Sequence, residues 1–199
     1  MTPEGDWPFA NVLADGPSVL ETREEDLLPG PVVAINCSLR MSSFLPIDVW
    51  ASVDAPSHLW DAVNGHLGED VDILSTGNNV QAWADRVDVG RLLIVEPTYL
   101  EEEGTFLRDE RGRKLMMPTI IYVLGYLRKY RNSSHVRIFG ADMQGTNGPL
   151  HPFLPFEYAN DEAATMRWDM ERKILARATR LYREEGRRVE RYFVEPENR

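Results

Sequence analysis

The chain has 199 residues, 43% hydrophobic and 27% charged, enough for one well-buried core and too short to make a second domain the expectation. Its net charge of -10 argues against a protein that clamps nucleic acid with its whole surface, yet the charge is uneven: residues 1–104 carry 4 Lys/Arg against 19 Asp/Glu, and residues 105–199 carry 18 against 13. One cysteine, Cys37, four scattered histidines, no apolar run of about 20 residues and no basic, apolar start exclude an internal disulfide, a spaced zinc motif, a membrane span and a signal peptide, so the expected location is the cytoplasm.

Short apolar runs alternate with helical patterns along the chain, the signature of βα repetition around a mostly parallel sheet. The expected strands are Asn11–Ala14, Val32–Ile35, Val49–Val53, Val71–Leu74, Leu92–Val95, Val136–Phe139 and Val189–Val194. A helix over Pro56–Leu67 starts with proline, which is harmless there because a first-turn N–H has no helical partner. Thr119–Tyr130 reads as a helix apolar nearly all round, and about Asp161–Glu185 as a long one with Ala163, Met166, Met170, Ile174, Ala178 and Leu181 towards the core. Asn160 or Asp161 suits the start of that last helix, and Gly186 suits its exit. The pattern predicts one α/β, Rossmann-like domain over residues 1–199, with about seven strands and helices on both faces.

Two loops stand out. Residues 100–117 are highly charged with two glycines, a composition that suits a mobile flap. Residues 143–160 are rich in Gly, Pro and aromatics and follow the carboxyl end of a strand, the edge at which open α/β sheets bind ligands.

The chemistry concentrates at strand ends. The first strand runs into Asp15-Gly16-Pro17-Ser18, where Gly16 lets a ligand approach the backbone and Ser18 offers a hydroxyl and an N–H at a helix start that favours anions. This turn is neither a dinucleotide fingerprint nor a phosphate-binding P-loop. Asn36, Asp54 and Asp142 follow three further strands, so in a parallel sheet all four acidic or amide side chains are expected at one edge. Singly, each also reads as a cap or turn residue.

These residues carry a resemblance. VLADGPSVLETREEDLLPGPVVAINCSL, then Asp54-Ala55-Pro56-Ser57, then MMPTIIYVLGYLRKYRNSSHVRIFGADMQG and the closing VERYFVEPENR resemble, in order, the small sialyltransferases of glycosyltransferase family 42. They also resemble the related MptE-like proteins, which include archaeal hydroxymethylpterin diphosphokinases, and phage-encoded proteins of about this size share the pattern. The resemblance implies that Gly16, Pro17 and Ser18 pack against a nucleotide, that Asn36 binds its phosphate or sugar, and that Asp54 sits near base or ribose. It places Thr119 where the sialyltransferases have a donor-contacting turn, and makes Asp142 the aspartate of a Gly-x-Asp strand end. In the long loop it implies Tyr158 as a donor to the leaving phosphate.

Two departures bear on mechanism. Asp15, and by the same comparison Asp54, stands where the sialyltransferases have asparagine, and extra carboxylates beside a phosphate favour an intervening Mg²⁺ or a different donor. The alternative is that Asp15 caps a turn. No histidine stands just before the last long helix, so the base falls to His151 further upstream, with Glu157 and Asp161 as second choices.

The resulting expectation is a glycosyltransferase using a CMP- or UDP-type sugar donor, with His151, Asp142 and Tyr158 as catalytic residues and a small molecule, glycan or modified nucleobase as acceptor. The alternatives are Mg²⁺-dependent phosphoryl or diphosphoryl transfer, with Asp15, Asp54 and Asp142 as metal ligands or the groups behind them, and a catalytically inactive nucleotide-binding interaction module. The module would dock its partner through Arg172, Arg177, Arg180, Arg183, Arg187 and Arg188. No membrane association is expected, and oligomerisation is left open.

Overall fold

The computed structural model describes residues 5–53, 56–95, 118–142 and 162–193, and only the backbone of residues 56–58 and 162–168. Both notable loops, at about 100–117 and 143–160, lie outside the described residues, as do Asp54, His151, Glu157, Tyr158 and Asp161.

Seven strands form one sheet: β1 Phe9–Leu13, β2 Val32–Ile35, β3 Val49–Ala51, β4 Asp72–Ser75, β5 Leu92–Ile94, β6 His135–Phe139 and β7 Arg188–Arg191. Their order is β5-β4-β3-β2-β1-β6-β7, and every pairing is parallel. The expected seven strands are all present. The last, expected at Val189–Val194, starts one residue earlier and ends at Arg191, an edge strand in which only Val189 is buried.

Alternate strand residues feed two cores, as the two-residue period of a strand requires. On one face Val12, Val33, Ala51, Leu74 and Ile138 pack with helices α3 (Thr119–Tyr130) and α4 (Glu162–Glu184). On the other, Leu13, Ala34, Trp50, Ile73 and Phe139 pack with α1 (Pro56–Val63), α2 (Val80–Ala84) and two 3-10 helices, Pro17–Glu21 and Asn36–Ser43. The sheet is therefore covered on both faces, and unequally: long helices on one, short turns on the other.

Helix α3 has the expected bounds, and all residues from Thr119 to Leu127 are buried, in keeping with its nearly uniform apolarity. In α4, Ile174 and Ala178 are buried as expected, joined by Leu175 and Tyr182. The Tyr182 hydroxyl donates to the Leu124 carbonyl at 2.6 Å, which ties α4 to α3, and burial pushes its pKa far up. Past its end, Gly186 takes the expected left-handed backbone, with φ +72°.

Helix α1 is shorter than expected and gives way at Asn64–His66 to a 3-10 turn. Helix α2, which the periodicity does not announce, is anchored by one residue. Trp83 is fully buried against Trp50 at 5.0 Å, and its indole N–H donates to the Ser75 hydroxyl at 3.2 Å. Among the described residues no helix is long and apolar enough to cross a membrane.

Candidate functional site

In this strand order the chain moves outward from β1 to β5, then returns to place β6 on the other side of β1. The reversal makes a topological switch between β1 and β6, and open α/β sheets bind ligands in the crevice outside the carboxyl ends of such strands. The Gly-Pro-Ser turn after β1 and the Gly-x-Asp turn after β6 both lie at that point.

The two turns are clasped together. The Ala14 N–H donates to the Phe139 carbonyl at 2.9 Å and the Gly16 N–H to the Gly140 carbonyl at 2.8 Å, extending the β1–β6 pairing past the strand ends. Beyond them the Asp142 carboxylate accepts the Ser18 N–H at 2.9 Å and the Ser18 hydroxyl at 2.6 Å. Pro17 opens the 3-10 helix, so this carboxylate sits at the start of a short helical turn, where negative charge is favourable. A Cβ on Gly16 would lie 2.3 Å from the Gly140 oxygen and 2.4 Å from an Asp142 carboxylate oxygen. Gly140 has φ +68°, and a Cβ there would lie 2.6 Å from the Ala14 oxygen. The space beside Gly16, and the Ser18 donors, which the sequence reading gives to a ligand, are taken here by the protein's own backbone and carboxylate.

Asp15 faces the other neighbour. Its Oδ1 accepts the Ser38 N–H at 2.7 Å, so it caps the Asn36–Ser43 helix from the adjacent strand end. Ser38, fully buried, also accepts the Ile35 N–H at 2.8 Å and donates to the Leu13 carbonyl at 2.6 Å. The capping reading of Asp15 thus has its partner, although the capped turn follows β2 and not β1.

Asn36 ends β2 with φ +47°, a left-handed conformation that asparagine tolerates better than most residues. The Trp50 indole N–H holds its carbonyl at 2.8 Å. The Asn36 Oδ1 is buried with no hydrogen-bond partner among the described residues, a costly state for a polar atom. Thr119 begins α3 and is 7% exposed. One turn on, the Tyr122 hydroxyl lies 2.6 Å from the Ser75 carbonyl oxygen and 2.8 Å from that of Val95, so the helix start sits under the ends of β4 and β5.

The structure therefore brings Asp15, Gly16, Pro17, Ser18, Asn36 and Asp142 together around the switch, with Thr119 on the same edge but towards β4 and β5. Two participants escape the sequence reading. Ser38 is a small polar residue just inside the run after β2. Arg191 is the last residue of β7, and the strand-end rule applied to the seventh strand points to it. Its Nη2 donates to the Ala141 carbonyl and reaches the Asp142 carbonyl at 3.5 Å.

Among the described residues no three His, Cys, Asp or Glu side chains stand close enough to hold a metal ion. Both Asp142 oxygens and one Asp15 oxygen accept hydrogen bonds from Ser18 and Ser38.

The sheet, its two helical layers and the clasped switch point define an α/β domain of the Rossmann-like type. No protein-family model matches the chain, and no curated protein is similar enough to serve as a relative.

Proposed function

We propose that this protein is a nucleotide-binding transferase that moves a sugar from a nucleotide-activated donor, of the CMP or UDP type, to an acceptor hydroxyl. The observation that supports this most directly is the clasp of Gly16-Pro17-Ser18 to Gly140-Ala141-Asp142. It unites, at the switch point of an open parallel sheet, the two motifs through which the chain resembles the family 42 sialyltransferases and the MptE-like proteins. In this reading the nucleotide lies over the ends of β1 and β2, beside Pro17 and Asn36.

The chemistry then follows from two loop residues: Tyr158, which the resemblance supplies, and His151, which stands in for the histidine that the resemblance would place just before the last long helix. His151, as a neutral imidazole, takes the proton of the acceptor hydroxyl as its oxygen bonds to the anomeric carbon. The bond from that carbon to the nucleotide phosphate breaks, the electron pair leaves on the phosphate oxygen, and Tyr158 donates a hydrogen bond to it. Asp142 keeps the floor of the site rigid through Ser18.

A thermal-shift panel of nucleotides and nucleotide sugars, with and without Mg²⁺, tests the reading. A CMP or UDP sugar at about 100 times its Kd should stabilise the fold by roughly 2.7 kcal/mol. Stabilisation by ATP in Mg²⁺ alone would move the protein to phosphoryl transfer, and no stabilisation by any nucleotide would overturn the proposal. With a donor in hand, His151→Ala should lower turnover and leave donor affinity nearly intact.

A further inference from the structure

We propose that Arg191 is the anion-binding group of the carboxyl edge and takes a phosphate or pyrophosphate oxygen of the ligand. This rests on the reading that a nucleotide lies over that edge. The usual phosphate position in such folds, the N–H groups at the first turn after β1, is held by the Asp142 carboxylate, which accepts both Ser18 donors. A phosphate placed there would meet like charge. Its counter-charge has to come from another element.

Strand β7 supplies one. Ile138 of β6 is in register with Arg191, so the Arg191 side chain reaches the turn that follows β6 and, among the described residues, bonds the Ala141 and Asp142 carbonyls through one nitrogen, Nη2. A guanidinium has five N–H donors in a planar fork, and a fork fixed through one nitrogen can present the rest to an oxyanion pair. Its plane is steadied by Phe193, whose ring centroid is 4.9 Å from Cζ. Both residues are exposed, Phe193 by 45%, so the pair faces solvent at the site edge.

The charges that act on it are mixed. Partial burial of the guanidinium pushes the Arg191 pKa down, Asp142 opposes that shift, and the neighbouring positive charge of Arg172 adds to it. Arg172 itself pairs with Asp169 one turn back on α4. Arginine suits phosphate better than lysine does, because its fork matches two oxygens at once.

The test is calorimetric titration of the full chain in EDTA at low salt, with inorganic pyrophosphate, CMP and UDP as probes. Wild type should bind without Mg²⁺. Arg191→Gln should weaken binding about tenfold or more, the loss expected for a charge-assisted hydrogen bond. Arg191→Lys, which keeps the charge and loses the fork, should recover part of it. Because Arg191 also steadies the Asp142 turn, urea unfolding of Arg191→Gln is measured beside the titration: weaker binding at unchanged stability supports the anion role, and weaker binding that comes only with lost stability overturns it.

If CMP or UDP binds wild type and Arg191→Gln equally, the Arg191 assignment falls and the nucleotide reading stands. If pyrophosphate binds in an Arg191-dependent way and no nucleotide does, the anion site stands and the nucleotide reading falls. Binding that needs Mg²⁺ and ignores Arg191, or no binding by any probe, would overturn the proposal.

Discussion

Asp142 and Ser18 are 124 residues apart in sequence and meet through two hydrogen bonds, 2.9 Å from the Ser18 N–H and 2.6 Å from its hydroxyl. Neither turn makes this contact alone: Ser18 follows β1 and Asp142 follows β6, and only the side-by-side placement of those strands brings them within reach. The pair closes the switch point in the way a helix cap closes a helix, with a carboxylate from a distant segment in place of the local side chain.

Removing that carboxylate leaves the Ser18 N–H without its acceptor. Asp142→Ala is expected to cost about 2–4 kcal/mol and Ser18→Ala about 1–2 kcal/mol in urea unfolding. The double variant should cost less than the sum, because both changes break the same contact. Additive losses would mean that the two side chains act independently.

Gly16→Ala should be more damaging than its single methyl suggests. The new Cβ would lie 2.3 Å from the Gly140 oxygen and 2.4 Å from an Asp142 oxygen, and neither can retreat without opening the clasp. A loss of about 1–3 kcal/mol is expected, with a midpoint shift and no change in m-value.

Asn36 separates backbone need from side-chain chemistry. Its φ of +47° predicts that Asn36→Gly leaves stability nearly unchanged and Asn36→Ala lowers it by about 1 kcal/mol. If the amide also contacts the ligand, both variants weaken nucleotide binding. Equal stabilities for the two would refute the backbone account.

The end of α4 carries a pH signature. Arg128 bonds the Glu185 carboxylate through Nε, at 2.9 Å, and through Nη2, and this holds the Glu185 pKa below its ordinary value of 4.5. The stabilisation is complete above that ordinary value and is lost as pH falls through the lower folded value. Glu185→Gln should therefore cost a few tenths to about 1 kcal/mol at pH 7, and the two stability curves should converge in acid. A difference that persists at pH 2 would assign the effect to packing.

Most of the framework is legible in the chain itself. The inner strands and α3 follow from apolar runs and their period, because a parallel strand buried on both faces favours Val, Ile, Leu and Ala, whereas the edge strand β7 buries only Val189. Short elements are less visible. Helix α2 has five residues, too few to establish a period, and depends on Trp83 finding Trp50 and Ser75 from other parts of the chain.

At the candidate site the division is sharper. The sequence by itself determined that Asp15, Gly16, Ser18, Asn36 and Asp142 end their strands at one edge, because parallel strands all point the same way. It also marked the Gly-Pro-Ser turn as a place where something must come close to the backbone. Tertiary structure decided what comes close: Gly140 and Asp142 against Gly16 and Ser18, Ser38 against Asp15, and Arg191 behind the β6 turn. Strand order makes those choices, and it is fixed by the packing of two cores over the whole sheet, a sum of long-range contacts that no local pattern of residues encodes.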